Sequence, residues 1–226
     1  MFDHGEVNAA APTLSELRAR VDQMQGRPAA QPVATHPALA GLLQLQAGAS
    51  YSVDSMSLAI ALMAGPSADG AWCGVVGAAE LGLEAAAAAG VELRRTILVP
   101  DPGESWLEVT AALIDVLGVV VLRAPSRASA KDVGRIGARL RQRGGILISC
   151  GAWPRSEARL SMHDVEWVGL GQGHGHLQAR QATVEVQRGT APARRRRLWL
   201  PDASQAIRRV ESVPQVEAPT RLRSVS

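Results

Sequence analysis

The chain of 226 residues lacks several features that mark familiar classes of protein. No apolar run approaches the roughly 20 residues that a membrane-spanning helix needs, and the N-terminus carries acids instead of the apolar stretch of a secretory signal. Cysteine occurs only twice, as Cys73 and Cys150, and each lies inside an apolar run. We therefore expect a cytoplasmic protein with no membrane association, with buried free thiols and with neither a disulfide framework nor a zinc site.

Lysine and aromatic residues are also scarce. The 24 basic residues comprise 23 arginines and the single Lys131, a bias typical of a GC-rich genome. Aromatic residues make up 3% of the chain whereas apolar residues as a whole make up 46%, so the core must consist of small and branched aliphatic side chains. Length and composition suit one globular domain with short extensions.

Residues 37–201 alternate between apolar strands and helices, and we predict one core domain over this range. The predicted strands lie at 49–53, 72–77, 95–99, 119–122 and 146–150. The predicted helices lie at 37–46, 55–64, 79–89, 104–116 and 129–143. Continuous apolar strands between helices are typical of a parallel sheet covered on both faces. After residue 160 the alternation of apolar and polar residues predicts antiparallel strands at the C-terminal edge of that sheet.

Both ends of the chain are predicted to lie outside the core domain. Residues 1–36 contain a short amphipathic helix at 13–25 and a Pro-rich linker, and residues 202–226 form a flexible tail. The apolar face of the helix consists of Leu14, Leu17, Val21 and Met24. Because so short a helix is unstable alone in water, this face must dock, either on its own domain or on another protein.

An α/β sheet of this kind commonly binds a nucleotide where its strands end, but two required features are missing. The first strand passes into its helix almost without a loop, and Ser55 and Met56 stand where a P-loop has lysine and serine or threonine. The strand VVVL should end in a metal-binding aspartate, and it ends in Arg123 instead. Two defects at two different elements argue against ATP hydrolysis, so we predict a protein that is not an enzyme and has no cofactor.

The stretch from WCGVVGAAELGLEAAAAAGVELRRTILVPDPGES through LIDVLGVVVLRAPS to RQRGGILISC resembles the core of RecA-like recombinases. It has a strand ending near an acid, a helix ending in xGV(D/E)L, a strand ending in xxP and the Walker B strand. Over residues 12–200 the chain is most similar to the ImuA type, in its actinobacterial ImuA-prime branch, which is an accessory of the bacterial mutasome. The resemblance implies a RecA-like α/β fold with a detached N-terminal helix.

The resemblance also implies a function, that of a non-catalytic adaptor in DNA-damage-induced mutagenesis and translesion synthesis, nucleoid-associated after damage. The apolar face of the N-terminal helix would insert into a groove on RecA, and the same contact could pair two copies of this chain. The C-terminal part would bind an ImuB-type inactive polymerase homologue. Glu80 falls near the acid that activates water in RecA, but without a phosphate cradle it is expected to be an ordinary acid near a helix start.

Clusters of arginine predict an alternative function, a regulator that binds DNA without hydrolysing nucleotide. A basic stripe along one face of the predicted helix at 129–143 begins at Lys131, and such a stripe is typical of a face exposed to solvent. A run of four arginines lies near the C-terminal end of the core. The candidate contacts to DNA or to a partner are Arg135, Arg139, Arg143, Arg194, Arg195, Arg196 and Arg197.

Overall fold

The computed structural model describes residues 31–124, 127–171 and 174–211. At residues 170, 171 and 174–176 it describes the backbone alone. The N-terminal helix predicted at 13–25, with Leu14, Leu17, Val21 and Met24, lies outside the described residues. Most of the predicted tail, from residue 212 onward, lies outside them as well.

In the part of the chain that the structure describes, nine strands form the main sheet. They are β3 (Ser50–Val53), β4 (Cys73–Val76), β5 (Thr96–Val99), β6 (Val119–Leu122), β7 (Ile146–Cys150), β8 (Ala158–Gly171), β9 (His174–Gln187), β10 (Arg194–Trp199) and β11 (Arg208–Arg209). Their order across the sheet is β11-β10-β9-β8-β3-β7-β6-β4-β5. Neighbouring strands are parallel from β5 to β8 and antiparallel from β8 to β11. The predicted α/β class, with a largely parallel sheet and antiparallel strands at one edge, is confirmed.

Within the described residues, four α-helices flank this sheet on both faces. They are α1 (Met56–Ala68), α2 (Leu83–Ala88), α3 (Trp106–Val116) and α4 (Ala130–Arg143). Val119 and Val121 of β6 pack in the cluster that contains α1, whereas Val120 and Leu122 pack with α3 and α4. Because successive side chains of a strand point to opposite faces, α1 covers one face and the pair α3 and α4 covers the other. In the part of the chain that the structure describes, no helix is long and apolar enough to cross a bilayer.

The segment before β3 is not the helix predicted at 37–46. It forms a 3-10 turn at Pro37–Leu39 and then a short strand, β2 (Leu45–Gln46), which pairs antiparallel with β1 (Pro32–Val33). Gly41 has a φ of 76°, a backbone conformation that ends helical structure. The leucines of this segment are nevertheless buried, so the apolar pattern indicated burial correctly but not the conformation.

Short strands also lie in both segments that were predicted to be extensions. β1 falls within the predicted linker, and the adjoining His36 backbone lies so close to Gly65 of α1 that a Cβ there would come within 2.4 Å of it. β11 falls within the predicted C-terminal tail, where it pairs with Leu198 and Trp199 of β10. Both short strands therefore pair with neighbouring segments although they lie outside residues 37–201.

Candidate functional site

The junction between β3 and α1 lies at the carboxyl end of the parallel strands, where α/β sheets commonly bind ligands. Only Asp54 and Ser55 separate the strand from the helix. The hydroxyl of Ser55 accepts a hydrogen bond from the backbone N–H of Leu58 at 3.4 Å, which caps the first turn of α1. The Asp54 carboxylate accepts a hydrogen bond from the backbone N–H of Met162 at 2.8 Å. This two-residue connection is too short to surround a phosphate.

Glu80 and Arg123 lie at the same end of the sheet, Glu80 after β4 and Arg123 after β6. Their side chains form an ion pair, with 2.7 Å between Arg123 Nη2 and Glu80 Oε1, and about half of each side chain is exposed. Cys150, at the end of β7, lies in the field of both charges, and burial raises the pKa of its thiol to about 11. Glu80 is therefore paired with Arg123, the residue that ends the strand at which the sequence analysis looked for an aspartate.

Gly77 holds the ends of β4 and β6 together beside this ion pair. Its φ is 73°, and a Cβ at this position would lie 2.2 Å from the carbonyl oxygen of Arg123. The Gly77 N–H donates to the carbonyl of Val99, and the Arg123 N–H donates to the carbonyl of Val76, both at 2.9 Å. Only glycine permits this approach of the two chains, which fixes the backbone from which Arg123 reaches Glu80.

Arg180 of β9 closes the site from the side of the antiparallel strands. Its Nη2 donates to the Ser57 hydroxyl and its Nε to the carbonyl of Leu200, both at 2.6 Å. The guanidinium lies 5.1 Å from the ring centroid of Trp167, within the range of a cation–π contact. Burial lowers the pKa of Arg180. Sequence reasoning missed this residue, because no spacing along the chain connects it to Ser57 or Trp167.

The hairpin of β8 and β9 extends beyond the strand that pairs with it. Strand β10 pairs with β9 only over Gln181–Val186, although both hairpin strands have 14 residues. We call residues 165–171 and 174–180 the β8–β9 arm. Its exposed large apolar side chains, each 44–50% accessible, are Val165, Trp167, Val168 and Leu177. Because Trp167 and Val168 are consecutive residues of the strand, their side chains lie on opposite faces, so both faces of the arm carry exposed apolar groups that another protein could cover.

The arginine run of β10 is divided between the two faces of the sheet by the alternation of the strand. Arg195 forms an ion pair with Glu185 at 2.6 Å, and Arg197 forms one with Glu166 at 2.5 Å. Arg196 points the other way and donates to the carbonyl of Ala40 at 2.6 Å. Arg194 is exposed at the start of the strand. The run therefore does not present four uncommitted cations to one ligand.

The basic stripe on α4 is also largely engaged within the protein. Arg139 and Arg143 both pair with Asp115 of α3, the latter at 3.4 Å. Arg135 lines a shallow groove between α3 and α4, together with Leu107 and Ala111. These contacts connect two neighbouring helices, so the structure brings Arg135, Arg139 and Arg143 together without leaving all three available to phosphates.

The two cysteines are free, as predicted, and Cys73 is fully buried whereas Cys150 is partly buried. Burial raises the pKa of the Cys73 thiol to about 11, so both thiols are protonated near neutral pH. Within residues 31–124, 127–171 and 174–211, no group of three or more His, Cys, Asp or Glu side chains could hold a metal ion.

Comparison with known proteins gives this architecture a family. The model of the MT3502 N-terminal domain matches residues 38–155, just over half of the chain, including the β3–α1 junction, Glu80 and Arg123. The uncharacterized protein Rv3395c of Mycobacterium tuberculosis (strain ATCC 25618 / H37Rv) is 36% identical over 137 residues, which are 58% of this chain. The chain spans 61% of the length of that relative. The β8–β9 arm lies beyond the region that the family model matches. Because that model matches more than half of the chain, the chain belongs to the MT3502 N-terminal domain family.

Proposed function

We propose that this chain is a non-catalytic, RecA-like adaptor of the ImuA type, which supports DNA-damage-induced mutagenesis and translesion synthesis. In this proposal the N-terminal segment, with Leu14, Leu17, Val21 and Met24, binds RecA. The β8–β9 arm and the C-terminal part bind an ImuB-type inactive polymerase homologue. The observation that carries the proposal is the arm, which presents exposed apolar side chains beyond the part of β9 that pairs with β10, in a sheet whose β3–α1 junction has no phosphate loop.

The geometry of the strand-end site supports a role without nucleotide chemistry. Phosphoryl transfer needs a backbone cradle, a cation for the phosphates and a metal ligand, all held at one place. Here Ser55 caps its own helix, Glu80 is paired with Arg123, and Arg180 is bound to Ser57 and Leu200. The polar groups at this end of the sheet are therefore satisfied by one another, which suits a rigid scaffold.

The fold class and the relative support the proposal at a coarser level. A largely parallel sheet with helices on both faces is compatible with the RecA-like core that the sequence resembles. The relative in Mycobacterium tuberculosis is compatible with the actinobacterial ImuA-prime branch that the sequence suggested. Fold alone does not establish a function, so the proposal depends on the binding test below.

The test is affinity purification from DNA-damaged cells with three forms of the protein. They are the intact chain, a form without residues 1–30, and the arm variant Val168→Lys with Leu177→Lys, which changes two exposed side chains. We expect the intact chain to capture RecA and the polymerase homologue. Removal of residues 1–30 should abolish capture of RecA alone, and the arm variant should abolish capture of the polymerase homologue alone.

A matched control is Leu83→Lys, which places the same charge on a leucine of α2 that is 42% exposed and lies outside the arm. This variant should retain both partners. The proposal fails if the intact chain captures neither partner, and the assignment of the arm fails if the arm variant captures the polymerase homologue as well as the intact chain does. The double variant Leu17→Asp with Val21→Asp gives the corresponding test for RecA without shortening the chain.

A further inference from the structure

The two edges of the nine-stranded sheet are protected very differently. At one edge, β11 has only two residues, Arg208 and Arg209, and the Arg209 guanidinium is bound to the carbonyls of Pro37 and Ala40. Short, charged edge strands of this kind prevent pairing with another chain. At the other edge, β5 has the sequence Thr-Ile-Leu-Val and pairs only with β4 among the strands of the described residues.

The unpaired side of β5 presents both backbone and apolar groups. The carbonyl of Val99 accepts a hydrogen bond from Gly77 on the β4 side. Because backbone groups alternate in direction along a strand, the N–H and C=O of Leu98 point away from β4, as do those of Thr96. The side chains of Ile97 and Leu98 are 38% and 40% exposed. This edge therefore offers the elements from which strand addition is built.

The charges that flank β5 have opposite signs at its two ends. The exposed Arg94 and the partly buried Arg95, whose Nη2 donates to the carbonyl of Ser67 at 3.4 Å, immediately precede the strand, and Asp101 and Glu104 follow it. An antiparallel copy of the same strand would place the basic start of each copy beside the acidic end of the other. A two-fold symmetric contact of this kind is self-complementary, as closed dimer interfaces require.

We propose that two copies of this chain pair through their β5 strands, antiparallel, with the two-fold axis at Leu98. In this register Leu98 lies opposite Leu98 of the second copy, and Arg95 lies opposite its Asp101. Thr96 lies opposite Pro100, which has no N–H, and the Thr96 N–H already donates to the carbonyl of Leu93, so the ladder consists of the two hydrogen bonds that the Leu98 residues exchange. The nine-stranded sheet would continue from one copy into the next.

Exposed apolar side chains on both faces of the sheet agree with this pairing. Ile97 is opposite Gly74 in the register of β4 and β5, and Gly74 faces Leu113 and Leu117 beneath α3. Ile97 therefore lies on the α3 face, where Val116 at the end of α3 is 75% exposed. Leu98 lies on the opposite face, which α1 covers. A second copy would shield Ile97 and Leu98 on both sides of the axis at once.

The first test is sedimentation of the full chain from about 1 to about 100 μM, where a weak to moderate dimer dissociates. We expect the wild-type chain to be dimeric at the upper end, and Leu98→Lys to weaken association at least tenfold, because two lysines meet at the axis. The matched control is Leu177→Lys, a leucine of similar exposure on the β8–β9 arm, which should associate like wild type. A monomeric wild type, or a dimer that Leu98→Lys leaves unchanged, would overturn the proposal.

A cysteine substitution tests the axis itself. Directly opposed residues that exchange both backbone hydrogen bonds have Cα atoms about 5.5 Å apart, within the range that a disulfide spans. Leu98→Cys should therefore form a disulfide-linked dimer on mild oxidation, whereas Leu177→Cys should not. A Leu98→Cys protein that sediments as a dimer but does not cross-link would refute this register. Neither measurement involves RecA or the polymerase homologue, so the dimer and the adaptor role succeed or fail separately.

Discussion

Arg123 and Glu80 form an ion pair, with 2.7 Å between Arg123 Nη2 and Glu80 Oε1, at the end of the parallel sheet where α/β proteins commonly bind ligands. About half of each side chain is exposed, and ion pairs at such positions contribute about 0–1 kcal/mol to stability. The pair therefore matters less for holding the fold than for the local charge, since each group neutralises the charge of the other.

The first prediction concerns nucleotide binding at this end of the sheet. A ligand present at 100 times its Kd raises the unfolding free energy by about 2.7 kcal/mol. Because the β3–α1 connection contains no cradle for phosphates, we expect millimolar ATP with Mg²⁺ to leave the melting temperature unchanged. The variant Glu80→Gln should lower the unfolding free energy by no more than about 1 kcal/mol. Thermal melts with and without nucleotide test both, and a shift produced by ATP in the wild type would contradict the prediction.

The second prediction concerns the glycine beside the ion pair. In Gly77→Ala the new Cβ would lie 2.2 Å from the Arg123 carbonyl oxygen, at a φ of 73°. We expect a loss of about 3 kcal/mol or more, because both the backbone conformation and the contact between strand ends are disturbed. Gly90→Ala is the matched control, since its φ is also positive but a Cβ there meets open space. Gly90→Ala should lower the unfolding free energy by about 1 kcal/mol. If chemical denaturation gives equal losses for the two variants, the contact with Arg123 is unimportant.

The third prediction follows from the two buried thiols. Burial raises the pKa of Cys73 and Cys150 to about 11, against 9.0 for an ordinary thiol. The folded state thus favours the neutral thiol, so this contribution to stability is fully present below pH 9 and is lost as the pH rises from 9 to about 11. Each thiol can lower the unfolding free energy by about 1.4 kcal/mol per pH unit in that window. Denaturation at several pH values should show that the unfolding free energy falls less steeply between pH 9 and about 11 for Cys150→Ala than for wild type. Identical slopes would show that the Cys150 thiol does not contribute to this pH dependence.

The sequence alone predicted much of the sheet and little of the site. Strands such as 119–122 and 146–150 coincide with β6 and β7, because a continuous apolar run between helices has few other structures open to it. The helix predicted at 37–46 was wrong, since leucines spaced for a helix can also be buried from an irregular segment that pairs β1 with β2. The missing phosphate loop at Ser55 could be predicted because it depends on neighbours in the chain. The contact of Arg180 with Ser57 could not, because it joins residues 123 positions apart.

The fourth prediction compares Arg194 and Arg196, which lie two positions apart in β10. Arg196 donates to the Ala40 carbonyl and so holds the segment before β2 against the sheet, whereas Arg194 is exposed at the strand start. We expect Arg196→Ala to lower the unfolding free energy by about 1–2 kcal/mol, since a hydrogen bond from a charged donor is lost. Arg194→Ala should stay within about 0.5 kcal/mol of wild type. Urea denaturation of both variants makes the comparison, and an equal loss in the two would mean that the Ala40 contact contributes nothing.

The last prediction tests whether the arginine run binds DNA, which is the alternative to an adaptor. Each phosphate contact to a single strand adds about 0.7 to the slope of log affinity against log salt concentration. Because Arg195 and Arg197 are paired with Glu185 and Glu166, and Arg196 is bound to Ala40, we expect weak binding with a slope well below that of four contacts. The double variant Glu185→Gln with Glu166→Gln releases two arginines, so its slope should rise by about 1.4. Fluorescence anisotropy with a labelled oligonucleotide measures both slopes. A wild-type slope near 2.8, unchanged by the double variant, would mean that the ion pairs open for DNA and would favour the DNA-binding regulator.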